Sequence, residues 1–227
     1  ADTQLDLDYN GQADDVDGDA TNAGLQSALT QWAPATVGGL PTGDVFVYLT
    51  DHGGNGAFRM SGTEVLNASQ LDGWLDTLQG QITGRIVVVY DACDSGSFLA
   101  ALGATAGQER IVVTSTTGSE PAYFLNTGVI SFSNFFWTNV FNGLDLRDAF
   151  TLARDAVSQT VAQSPLLDAN GNGTGNETAD YTSAENVYIG NGTALEGTPP
   201  TIAAWSPIQA IDATSTALLW VEPVDLD

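Results

Sequence analysis

The chain is short of reactive and basic side chains. Its 227 residues hold one cysteine, one histidine, one methionine and no lysine; the only cations are Arg59, Arg85, Arg110, Arg147 and Arg154. A single thiol excludes a disulfide framework. Five arginines against 28 acidic residues leave a formal net charge of -23. That excludes nucleic acid and anionic membrane as partners, because both need a cationic surface. No apolar run reaches the about 20 residues needed to cross a bilayer, so no membrane insertion is expected. No secretory leader opens the chain and its first residue is Ala, from which a processed or truncated N-terminus is expected. Hydrophobic residues make up 43% and charged ones only 15%. This is the composition of a globular chain, long enough for one sizeable core with appendages.

What is present is concentrated at two points. Val45-Phe46-Val47-Tyr48-Leu49-Thr50 runs into Asp51-His52-Gly53-Gly54. Ile86-Val87-Val88-Val89-Tyr90 runs into Asp91-Ala92-Cys93-Asp94-Ser95-Gly96-Ser97. Continuous short apolar runs are the pattern of parallel strands buried on both faces. Ligands of open α/β sheets bind beyond the carboxyl ends of such strands. Taken singly, a lone Cys is usually a small buried hydrophobe and a lone His a satisfied polar group. Here each is unique and stands past a strand end next to glycine or a short acidic turn. That joint placement favours a nucleophilic thiol and its imidazole partner, since an imidazolium lowers the thiol pKa.

Thr-Asp-His-Gly after one hydrophobic strand and Asp-Ala-Cys-Asp-Ser-Gly-Ser after the next resemble the legumain family of cysteine peptidases, in the caspase-like clan. The matching residues are Asp51, His52, Gly53, Asp91, Ala92, Cys93, Ser95, Gly96 and Ser97, within a resemblance running from about Thr21 to Gly192. The resemblance implies a caspase-like three-layer α/β fold, with a mostly parallel central sheet flanked by helices. It implies a cysteine endopeptidase acting on peptide or protein substrates without a catalytic cofactor. Cys93 is the implied nucleophile, His52 the acid and base, and the N–H groups of Gly53 and Cys93 the implied oxyanion hole. Asp91 matches the acidic residue lining the family's first substrate pocket, and Ser119 and Glu120 are candidates for its other wall. The family's Asn-recognising Arg has no counterpart here, so cleavage after Asn or Asp and cleavage after a basic residue both stay open. A bacterial or archaeal modular member, seen as a fragment without its N-terminal strands, is expected. That leaves about four main strands and an open sheet edge.

Two acidic loops carry calcium-loop spacing. Asp6, Asp8, Asn10, Asp14 and Asp17 take the ligand positions around Gly11, with Gln12 following it. Asp168, Asn170, Asn172, Thr174 and Asn176 repeat the logic around Gly173, with Asp180 one step late. Structural calcium and an extracellular or cell-surface location are expected, against the plain reading of solvated turns. Periodicity predicts helices with apolar faces Leu25/Ala28/Leu29/Trp32 (ended by Pro34), Leu71/Trp74/Leu75/Leu78, and Leu146/Ala149/Phe150/Ala153/Val157. A short helix over 97–106, a core aromatic helix from Ser131, and strands at Ile111–Ser115 and Asn186–Ile189 complete the expectation. The domains are read as an acidic loop at 1–20, a peptidase domain at 21–193, and a linker with the start of an immunoglobulin-like β domain at 194–227. That tail makes further domains of the parent chain expected partners. Two rivals stand: a calcium-binding surface or adhesion module with an inactive peptidase fold, and a serine hydrolase using Ser95 or Ser97.

Overall fold

Two runs rich in Val and Ile form the centre of a sheet because neither alternates with polar residues. A computed structural model describes residues 11–12, 16, 18–37, 43–190 and the backbone of 201–205 and 221–224. Strands β1 (Val45–Thr50), β5 (Ile86–Asp91) and β6 (Arg110–Thr114) are parallel neighbours, and β7 (Leu166–Asp168) closes the order β1-β5-β6-β7 by pairing antiparallel with β6. Every residue of β5 and β6 is buried, as a two-sided strand requires. β1 departs from the expected two-sided burial: Val47 and Leu49 are buried while Phe46 and Tyr48 are exposed. Among the described residues it is an edge strand, so one of its faces has little cover. The expected four main strands and open edge are both found.

Helices cover both faces. α3 (Ala68–Gln79) starts at Asn67, whose capping box with Gln70 satisfies two orphan amides, and it buries Leu71, Leu75 and Leu78. These side chains pack with Val47, Leu49, Ile86, Val88 and Tyr90. On the opposite face, α4 (Phe132–Phe141) and α5 (Leu146–Thr160) bury Phe132, Phe136, Ala149, Phe150, Ala153 and Val157 against Val87, Val89, Ile111 and Val113. Alternate residues of β5 therefore feed two separate cores, and the result is a three-layer α/β architecture. Full burial of each large apolar side chain contributes about 1.5–3 kcal/mol, so the two cores hold the sheet from both sides. Among the described residues, no helix is long and apolar enough to cross a membrane.

Four expectations need correction. The first helix does not end at Pro34. α1 (Asn22–Ser27) passes into a π turn at Ala28–Trp32, where Ala33 N–H reaches Ala28 O, and continues as α2 (Ala33–Val37). The wider turn inserts a residue into the helical phase. Trp32 is thereby swung out to 64% exposure, and Leu29 and Ala33 take the buried side. Residues 97–106 hold no α-helix; a 3₁₀ turn at Ser95–Phe98 is followed by further turns. Asn186–Ile189 forms no strand. Val187 O instead accepts the Leu146 N–H at the start of α5, and the fourth strand is β7. Finally, the aromatic helix is core only in part, because Phe141 is 83% exposed.

The loop after His52 is more ordered than its glycines suggested. Strands β2 (Gly53–Gly54), β3 (Ala57–Arg59) and β4 (Val65–Asn67) make a small antiparallel sheet. Far along the chain, β8 (Thr201–Trp205) pairs antiparallel with β9 (Val221–Val224). Of the first acidic loop, Asp6, Asp8, Asn10, Asp14 and Asp17 lie outside the described residues, as does the expected linker at 194–200.

Candidate active site

Strand register brings the two unique residues together. β1 and β5 pair in parallel with Thr50 opposite Asp91. His52 and Cys93 each lie two residues past that last pair, and neighbouring strands run about 4.8 Å apart. Gly53 makes the closeness concrete. A Cβ at this position would overlap the carbonyl oxygen of Cys93 and stand 2.8 Å from Tyr90 Oη. The backbone after His52 thus lies directly on the backbone of Cys93, and only glycine fits there.

Three further contacts lock the two loops. Tyr90, the last aromatic of β5, donates its hydroxyl to Ala57 O and packs edge-on against Phe58 and Phe98. Burial and the nearby Asp94 and Cys93 raise its pKa far above the usual phenol range, so it stays a donor. Ser97 Oγ donates to Asp94 O at 2.6 Å and accepts from Gly56 N–H at 2.8 Å, tying the cysteine loop to the histidine turn. His52 itself is exposed. Its N–H meets Asp51 Oδ1 at 2.6 Å and its carbonyl accepts from Arg59 N–H, so Asp51 shapes the turn that presents the imidazole.

Cys93 is half-buried, and its Sγ accepts the Ala122 N–H at 3.4 Å. An amide aimed at sulfur favours the thiolate over the thiol. Asp94, in the left-handed region at φ 55°, turns the chain sharply there and donates its N–H to Glu120 O at 2.8 Å. The N–H of Cys93 donates to no acceptor among the described residues. Both serines of the rival nucleophile reading are committed elsewhere. Ser95 is sealed, with its hydroxyl on Thr116, and Ser97 is the staple just described.

The three expected pocket residues have different fates. Asp91 is only 1% exposed; its Oδ2 accepts from both N–H and hydroxyl of Ser133, which in turn accepts from Tyr48 Oη at 2.7 Å. Its Oδ1 has no partner in hydrogen-bonding geometry. Burial pushes the Asp91 carboxyl above the usual carboxylate range, and the nearby Ser115 and Ser133 hydroxyls offset part of the shift. Ser119 is exposed. Glu120 anchors its loop by accepting from Thr117 N–H, Ser164 N–H and Ser164 Oγ. Burial works against its charge, but these bonds outweigh it and the pKa is lowered. Sequence reasoning missed Ala122, Ser133, Tyr48 and Gln163; the last bridges Ser115 O and Tyr123 N–H across the loop. Only the capping position of Ser131 hinted that a helix start would arrive beside Asp91.

The second acidic loop closes on itself. Asp168 accepts N–H bonds from Gly171, Asn172 and Gly173, and Asp180 from Ala169, Asn170 and Glu177. Burial raises the Asp168 pKa against those bonds. The side chains of Asn170 and Asn172 donate to Glu177, and Asn176 Oδ1 accepts from Leu167 N–H. The backbone N–H of Thr174 is held by Asn172 Oδ1. Among the described residues, no three His, Cys, Asp or Glu side chains gather as a metal site.

Residues 16–166 match the Peptidase C13 family. The chain belongs to that family. The resemblance first read at His52 and Cys93 holds at this level. A stretch of 80 residues is 39% identical to the vacuolar-processing enzyme of Vicia sativa, covering 35% of this chain but only 16% of that protein. The structure of caspase-1 from Spodoptera frugiperda aligns over 66% of this chain and 68% of that one, with a TM-score of 0.47 and 14% identity.

Proposed function

We propose that this Peptidase C13 chain is a cysteine endopeptidase working through a Cys93–His52 pair. The observation that carries the reading is the register: both residues stand two steps past the Thr50–Asp91 pair, with Gly53 pressed on the Cys93 backbone. In the proposed reaction the Cys93 thiolate attacks the scissile carbonyl carbon. The oxyanion is held by the Cys93 N–H, which has no internal acceptor, and by the Gly53 N–H. The His52 imidazolium gives its proton to the leaving amine as the C–N bond breaks, leaving an acyl-thioester. A water then attacks, its proton passes to His52, and the thiolate departs. No step calls on a cofactor. Asp91 is assigned to the base of the first substrate pocket, its free oxygen available to a substrate group.

Incubation of the chain with a mixed peptide library, read by mass spectrometry, tests this. Cleavage that disappears in Cys93→Ala and in His52→Ala is the expected result. Cleavage that survives Cys93→Ala, or none at all from the folded chain, sinks the reading. The adhesion-module alternative gains nothing from the second acidic loop, whose carboxylates are already satisfied by backbone amides.

A further inference from the structure

An uncharged groove opens beside the proposed site and has no part in the mechanism above. It measures about 660 Å³ and runs between the 124–129 loop and α4, with Phe124, Val129, Trp137 and Phe141 as its apolar walls. Val129 is 60% and Phe141 83% exposed. None of its lining residues is charged, which is unusual on a chain carrying 28 acidic residues. Exposed aromatic surface of this kind costs solubility and marks an interaction site.

The groove is rigid. Leu125 and Ile130 exchange backbone hydrogen bonds across the loop, and Asn126 and Thr127 make its turn in the left-handed region. Asn134 Nδ2 then donates to Val129 O, and Ser131 Oγ to Gly128 O, fastening the loop to the first turn of α4. The groove is also continuous with the site. One wall begins two residues after Ala122, whose N–H contacts Cys93 Sγ, and the other carries Ser133, which is bonded to Asp91.

We propose that this groove receives a large apolar side chain of the peptide substrate, at a position close to the scissile bond. The inference rests on the peptidase reading and adds a second specificity contact to it. The occupant follows from the walls. Apolar, uncharged sides with one aromatic on the lip suit Phe, Tyr or Leu, and they leave a carboxylate or ammonium without a partner.

A positional-scanning peptide library cleaved by the full chain, with Cys93→Ala as the blank, tests the proposal. At one position near the cleaved bond, large apolar residues are expected to be preferred over Asp or Gly by about tenfold or more. Phe141→Ser and, separately, Val129→Asp are expected to collapse that preference; both residues are exposed, and melting curves check that the variants fold. Cys93-dependent cleavage with no apolar preference at any position overturns the groove alone. So does a preference that survives both variants. Absence of any Cys93-dependent cleavage overturns the peptidase reading and the groove with it.

Discussion

Arg110 and Asp91 are charged residues sealed in the same sheet, at opposite ends of neighbouring strands, and they are treated in opposite ways. Arg110 starts β6. Its guanidinium meets Asp72 and Asp76 at 2.7 Å each and Gln79 Oε1 twice, with Leu102 O as a further acceptor. Asp91 ends β5 with one oxygen held by Ser133 and the other unpartnered. A buried charge that serves structure is given a full set of partners. The residue beside the thiol is left incomplete, at a cost in stability that the fold has to carry elsewhere. An unsatisfied buried oxygen next to a nucleophile is the mark of a group kept for a ligand.

The comparison is broken most severely at Arg110. Arg110→Ala strands Gln79 and two carboxylates at the foot of the sheet and is expected to cost about 3–5 kcal/mol, measured by urea denaturation. Arg110→Met, which keeps volume while Asp72 and Asp76 turn to solvent, is expected to cost clearly less. Equal losses would mean packing, not pairing, is what Arg110 supplies. Gly53→Ala comes next. Its methyl must push the Cys93 carbonyl aside, so kcat/KM on a cleaved peptide is expected to fall about 100-fold, with a smaller change in melting temperature.

Asp91→Asn sharpens the contrast from the other side. A carboxyl whose folded pKa is raised contributes stability that is full below its unfolded value, about 3.9, and lost as pH rises through the folded value. The wild-type chain therefore pays for ionising Asp91 above that window, and the Asn variant does not. The variant is expected to be at least as stable as wild type at pH 8, to lose ground on it at pH 4, and to change peptide preference. A loss at pH 8 as large as that of Arg110→Ala would erase the distinction. Glu120→Gln is the smallest change. Its lowered pKa gives a contribution present above about pH 4.3 and lost as pH falls through the folded value. The expected effect on the urea midpoint is slight, because the group is largely solvated.

Much of this was legible before any coordinates. Two uninterrupted apolar runs, each ending in a unique reactive residue, disclosed adjacent parallel strands and the face where they meet. Caps at Asn67, Ser131 and Asp145 disclosed the helix starts. The misses share a cause: they depend on contacts between distant segments. Trp32 left the core because a π turn shifted helical phase, which a period of 3.6 does not anticipate. Residues 166–168 are too short to read as a strand, and were made one by pairing with β6. At the site, the Ala122 amide on sulfur and the Ser133 bond to Asp91 join residues 29 and 42 apart in sequence. No local pattern announces such pairs.

The central claim is that Cys93 and His52 act as one unit. The rate of iodoacetamide alkylation of Cys93 against pH, in the wild-type chain and in His52→Ala, tests it most directly, because the chain holds a single thiol. Fast alkylation that persists well below pH 8.5, the region where a free thiol titrates, and that is lost in the variant, is the predicted result. Slow alkylation that follows an ordinary thiol titration, unchanged by removing the imidazole, would contradict it.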